Sequence, residues 1–233
     1  MPTKHRAHRA FSLVELLAVL AIVAILAVLV MPAVGRALES GERVKCAGNL
    51  RSLGAGIQLY AAEHNGKLPG TTHSGTNYWI EELRTVLGSN YDRARISPID
   101  PKGPQRLAQG GTSYVMNARV NPEAFANEFG EIDAGEIVYD NLSRIPAPSR
   151  AILLFLASTN KGTAASEDHI CGDITSWSGF RSQTWPDAYG ATAGGGGTNG
   201  LSNYLFADGH VQTIPAAEVK GRIDAGQDIS KSY

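Results

Sequence analysis

The sequence predicts an α+β chain in which one long N-terminal helix, half apolar and half amphipathic, packs against a small antiparallel sheet. Three observations predict it. From Phe11 to Val34 run 24 residues with a single charge, Glu15. Apolar or small residues then recur at Val34, Leu38, Gly41, Val44, Ala47, Leu50, Leu53, Ile57, Tyr60 and Ala61, close to a 3.6-residue period. Beyond residue 65 the helical pattern stops, and short strand-like runs follow, the last of them a hairpin.

The first ten residues hold Lys4, Arg6 and Arg9 and no acid. The whole chain has 21 basic and 22 acidic residues and a net charge of −1. With those three cations set aside, the remainder stands at −4, so the leader is a separate cationic unit. A near-neutral chain lacks the basic patch of a nucleic-acid binder, and none is expected as a partner. A charged fraction of 18% with 43% hydrophobic residues excludes both a disordered chain and a polytopic membrane protein.

At ~1.5 Å per residue the apolar run makes a helix of ~36 Å, enough for a ~30 Å hydrocarbon core. A plain membrane anchor is one reading, but a carboxylate inside a spanning helix costs ~2.5–3.5 kcal/mol at its centre, less near an end, and calls for a partner. A secretory signal with a small-x-small cleavage site at Ala33-Val34-Gly35 is another. The run exceeds the ~7–15 residues usual for that apolar region. Pro32 either ends the membrane helix or lies inside it, where its ring removes one backbone bond and kinks or loosens the helix. The periodic stripe beyond it favours the second. The helix predicted from Phe11 to His64 has 54 residues and would measure ~81 Å unbroken. Asn65-Gly66, with Pro69 beyond, stops it.

In the remainder, Trp79, Ile80, Leu83, Val86 and Leu87 pattern a short helix stopped by Gly88. Residues 89–111 read as Pro/Gly-rich loop. "SYVMN", 113–117, and "AILLFLA", 151–157, read as strands, the second too short for another span. Residues 158–200 read as loop. "NYLFADGHVQTI", 203–214, reads as a hairpin turning at Asp208-Gly209, two residues that tolerate positive φ. Pro215 opens a last helix over 216–222. The two cysteines, Cys46 and Cys171, exclude a disulfide scaffold; they leave open one bridge in an exported domain or two separate thiols.

Ala10-Phe11-Ser12-Leu13-Val14-Glu15, with a basic leader before it and an apolar run after it, resembles the class III signal of type IV prepilins and type II secretion pseudopilins. That resemblance implies a pilin-like fold, a cut by prepilin peptidase between Ala10 and Phe11, and N-methylation of Phe11. It implies that Phe11 and Glu15 serve subunit assembly, Glu15 pairing with the new amine of a neighbouring Phe11. Ala10 departs from the commoner Gly. Lysines and arginines flank the span almost evenly, so the cytoplasmic N-terminus also comes from the resemblance. The organisation implied is a basic leader 1–10, a transmembrane half 11–34, an amphipathic half 35–64 and a globular pilin-like domain 65–233. Partners implied are the inner membrane, other pilin-like subunits and a secretion or pilus assembly machinery.

"CAGNLRSLG", "SPID", "SYVMN", "PSRAILL" and "FADGHV" extend the likeness to the bacterial prepilin-type proteins named for an H-X9-DG pattern. Two positions depart from that group. Thr198 stands where its His is expected, and Ser97 where a Cys is common. Cys46 then lacks the usual partner, and Cys171 can replace it.

No catalytic grouping emerges. Asp168-His169 beside Cys171 and Asp173 lacks metal-site spacing and reads as a solvated loop. Glu167, Asp168 and Asp173 lack the DxDxDG register of a calcium loop. Asp208-Gly209-His210 is explained by a turn, and Gly194–Gly197 has no phosphate-loop context. The expectation is a structural subunit with no enzymatic activity, cofactor or metal. The alternative is a membrane-tethered extracytoplasmic binding domain that uses the signal only for export.

Overall fold

The computed structural model describes residues 13–71, 78–122, 132, 134–170, 174–190 and 197–231. The chain forms two compact units, Met1–Gly41 and Glu42–Tyr233. Helix α1, Leu13–Glu63, contributes to both, and Pro32 lies inside it. The helix therefore continues past the proline, which denies the Val28 carbonyl its intrahelical donor. Its end follows the predicted stop. Asn65 and Gly66 take φ of 55° and 84°, and the Gly66 N–H donates to the Ala61 carbonyl at 2.7 Å.

In the second unit the four strands are β1 Tyr114–Met116, β2 Ile152–Leu156, β3 Leu201–Phe206 and β4 Val211–Pro215. They pair antiparallel in the order β1-β2-β3-β4. The free side of β1 is capped by Asp168–Ile170: Met116 N–H donates to Asp168 O at 2.8 Å, and Ile170 N–H to Met116 O at 3.0 Å. The register of β2 shifts between Ile152 and Leu154. This turns Leu153 and Leu154 to the same face, while Ile152 and Phe155 lie on the other.

The α1 side of the sheet buries Cys46, Leu50, Leu53 and Ile57 against Tyr114, Leu153, Leu154 and Leu205. Gly54 lets the sheet approach closely here: a Cβ would stand 2.8 Å from Leu205 Cδ1, so that buried side chain would have to shift. Side-chain amides fasten the helix as well. Asn203 Nδ2 donates to Arg43 O at 2.9 Å, Gln58 Nε2 to Ala207 O at 2.8 Å, and Asn49 Nδ2 to Ile96 O at 2.8 Å. The opposite face is covered too. Phe155, Tyr204, Phe206 and Ile214 pack under α6, Trp177–Gln183, and α7, Ala216–Asp224, through Phe180, Val219 and Ile223.

Five expectations need correction. The helix at 79–87 breaks at Leu83 into α2, Trp79–Glu82, and α3, Arg84–Leu87. Residues 89–111 are not loop throughout. They contain α4, Tyr91–Ala94, and α5, Gly103–Ala108, with Pro104 in the first turn, where its missing N–H costs nothing. Buried Arg106 holds this segment, pairing with Asp100 at 2.8 Å and donating to the carbonyls of Thr112 at 3.1 Å and Gly162 at 2.7 Å. Residues 158–200 contain α6, started by Ser176 Oγ accepting from the Gly179 N–H at 3.1 Å. In the hairpin only Gly209 has positive φ, at 90°; Asp208 does not. Phe206 O accepts from Gly209 N–H at 2.9 Å, and Phe206 N–H donates to His210 O at 3.0 Å. That is a three-residue loop closed by a bulge at glycine. The last helix runs two residues beyond 222.

Candidate assembly site

The first unit places Glu15 in the first turn of α1, where an acid opposes the positive end of the helix dipole, typically worth ~0.3–1 kcal/mol. Behind it, every side chain from Leu13 to Leu38 is exposed, with Leu13, Val28 and Met31 each at 70% or more. α1 is long and apolar enough to cross a membrane, and none of that apolar window is buried within the chain. A stripe covered on one face would be amphipathic; one bare all round calls for an apolar surrounding. Ala10 and Phe11 lie outside the described residues.

Cys46 is a free, fully buried thiol 3.6 Å from the Tyr114 hydroxyl. Burial first, and Cys46 second, push the Tyr114 phenol well up. Tyr189 is raised by the same two causes, while neighbouring Ser97 pulls it down. So Ser97 and Cys46 flank one tyrosine. Cys171 lies outside the described residues.

Asp168-His169 is the main departure from sequence reasoning. It is no solvated loop: Asp168 is 0% and His169 2% exposed. Asp168 Oδ1 accepts from Thr71 Oγ1 and His169 Nδ1, both at 2.9 Å, and Oδ2 from Trp79 N–H at 3.2 Å. Its carbonyl accepts from Trp79 Nε1 at 2.6 Å. A buried carboxylate is tolerated because donors satisfy it. Besides the adjacent His169, those donors come from positions 71 and 79, too far away for local spacing to reveal. Glu167 pairs with Lys161 at 3.3 Å, and Asp173 lies outside the described residues. Among the described residues no group of three or more His, Cys, Asp or Glu is arranged to hold a metal.

Asp208 and His210 close the hairpin. Asp208 Oδ1 accepts from the His210 N–H at 3.1 Å and sits 2.5 Å from Nδ1, and the imidazole stacks on Phe206 at 4.3 Å. Partial burial works against the Asp208 carboxylate, but the His210 hydrogen bonds hold its pKa below the ordinary carboxylate range.

A bare apolar helix leading into a helix-on-sheet body defines an α+β fold of the pilin-like kind. The sequence comparison agrees at the head of the chain: residues 5–31 match the prokaryotic N-terminal methylation motif. That motif takes in the positions of Ala10, Phe11 and Glu15 and is the signal of pilin-like proteins. No curated protein and no solved structure matches the chain.

Proposed function

We propose that this chain is a pilin-like structural subunit, a pseudopilin of a type II secretion or type IV pilus-like system and a member of the H-X9-DG group. The observation that carries the reading is the methylation motif at residues 5–31 on a helix whose apolar span has no covering within its own chain. The precursor sits in the inner membrane as a single pass, with its basic leader in the cytoplasm. Prepilin peptidase cuts between Ala10 and Phe11, removing Lys4, Arg6 and Arg9, and Phe11 is methylated. Glu15, one helical turn further on, then pairs with the Phe11 amine of a neighbouring subunit, and the apolar spans pack side by side in a filament. Such a contact is heterologous and open-ended. Pro32 supplies the point where the helix yields on extraction. The role is structural, not catalytic.

Mass spectrometry of the mature N-terminus tests this. A methylated Phe11 is expected; an N-terminus at Met1 or Arg36 overturns it. The tethered binding-domain reading draws on one feature, an apolar pocket of about 330 Å³ lined by Val120, Ile137, Tyr139 and Ile145 beside Arg119. Chains that stay as membrane monomers when the assembly machinery is present would favour it.

A further inference from the structure

The seam between α1 and the short helices α2–α5 opens at both ends, and the two openings carry opposite charge. At one end lies a cleft of about 820 Å³ between Lys45, Gly48 and Asn49 of α1 and the segment from Asp92 to Leu107. Its acids are already used: Asp92 pairs with Arg95 at 2.8 Å and Asp100 with Arg106 at 2.8 Å. Lys45 and Arg93 are exposed and in no ion pair among the described residues. This end is therefore net cationic, with Ile96, Pro98, Pro104 and Leu107 as its apolar lining.

At the other end a cleft of about 610 Å³ lies between Leu59, Tyr60, Glu63 and His64 of α1 and Glu82, Thr85 and Val86. Glu63 is exposed and Glu82 half-buried. Neither is in an ion pair among the described residues; Glu82 accepts from the neutral Gly70 N–H at 3.0 Å. The Tyr60 phenol, pushed up to about 12 by burial first and then by Glu82, stays neutral beside them. Between the ends the seam is shut, since a Cβ on Gly56 would stand 3.1 Å from Leu87 Cδ2.

Lys45 and Glu63 are 63 − 45 = 18 residues apart, five helical turns, so they lie on one line of α1 some ~27 Å from each other. They cannot meet within a chain. We propose that they meet between chains: the Lys45–Arg93 end of one copy receives the Glu63–Glu82 end of the next. The partner is a second copy, because the unused charges at the two openings are opposite in sign and equal in number. Joining unlike ends head to tail leaves one end of each kind free, so the contact repeats along a line, whereas an antiparallel twofold pair would close both contacts at once and stop at a dimer. This inference rests on the filament reading and adds to it a contact outside the apolar span.

A zero-length carbodiimide cross-link tests it on the full-length chain, produced together with its processing and assembly machinery. The reagent condenses a lysine amine with a carboxylate and takes up the water released. Any amide between Lys45 and Glu63 is intermolecular, given their separation along α1. Covalent multimers carrying a Lys45–Glu63 or Lys45–Glu82 linkage are expected. The total yield of multimers should fall by ~10-fold in Lys45→Glu, which removes the reacting amine and opposes like charges, and in Glu63→Lys, which removes one reacting carboxylate and opposes like charges. The combined K45E/E63K chain should recover most of it, with the amide now joining the two exchanged side chains. Multimers that form equally in both single variants, or carry amides only elsewhere, overturn this contact and leave the filament reading standing. Products that stop at the dimer overturn the open-ended arrangement, and an absence of covalent multimers in the unaltered chain overturns the contact, while the methylated Phe11 decides the filament reading separately.

Discussion

Replacing Asp168 with Ala withdraws one carboxylate from three buried donors: the Thr71 hydroxyl, the Trp79 N–H and His169 Nδ1. Leaving a buried donor without its acceptor costs ~1–3 kcal/mol, so three give an upper range of ~3–9 kcal/mol. The space vacated by the carboxylate is about that of one water, which can restore one or two of these bonds. The expected loss is therefore near the bottom of the range, ~3 kcal/mol, a large share of a total stability of ~5–15 kcal/mol. For a unit of this size that corresponds to a fall in Tm of ~6–12 °C. Thr71→Val removes one donor instead of the shared acceptor and should cost only ~1 kcal/mol. Thermal and urea unfolding of the detergent-solubilised full chain, followed by near-ultraviolet circular dichroism of the tryptophans, provides both numbers. An Asp168→Ala chain within ~0.5 kcal/mol of the parent would mean that the carboxylate is solvated after all, as a surface substitution would be.

Glu15→Ala should leave cleavage and methylation of Phe11 intact and abolish recovery of filaments from sheared surface fractions; normal incorporation would remove the proposed pairing. Alkali should unfold the second unit. Tyr114 and Tyr189 have folded pKa values above the unfolded value near ~10, so the unfolded state loses protons first and stability declines as pH rises past ~10. Absorbance at 295 nm should then show these phenols ionising together with loss of structure; ionisation well before unfolding would contradict their burial. The Cys46 thiol should resist alkylation until denaturant is added and then react without reductant. A requirement for reductant would instead reveal a bridge to Cys171.

Features legible in the sequence are those set by neighbours along the chain. The α1 stripe, the Asn65-Gly66 stop and the Gly209 bend each depend on residues within a few positions, where helical period and positive φ leave a clear pattern. The strands were legible for the same reason, since "AILLFLA" is a buried run with few alternatives. Helices α4, α5 and α6 escaped because they span 4, 6 and 7 residues, too short for a period to repeat. What holds that region is distant: Arg106 reaches the carbonyl of Gly162, 56 positions away. Asp168 was misread by the same logic. Beside His169 and Asp173 it looks like a polar loop, and only the approach of Thr71 and Trp79 makes its burial tolerable. Pro104 in the first turn of α5 and Ser176 at the start of α6 were the local hints available.

The same division of information runs through the assembly surfaces. The inner surface proposed for assembly is contiguous in sequence, because a peptidase and a membrane would each read short linear features: a small residue, a phenylalanine, a glutamate and an apolar run. The outer surface proposed here is not contiguous. Lys45 and Arg93, or Glu63 and Glu82, become neighbours only after α1 has docked on the sheet and α2–α5 have closed over Gly56. Unpaired charge has meaning only once the paired charge is known, and Asp92 and Asp100 are silenced by arginines that reach them in the folded chain. A subunit that folds before it joins a neighbour can present such a composite surface only in its finished state. The linear signal would then control whether a chain enters assembly, and the folded seam would control which end of it meets the next.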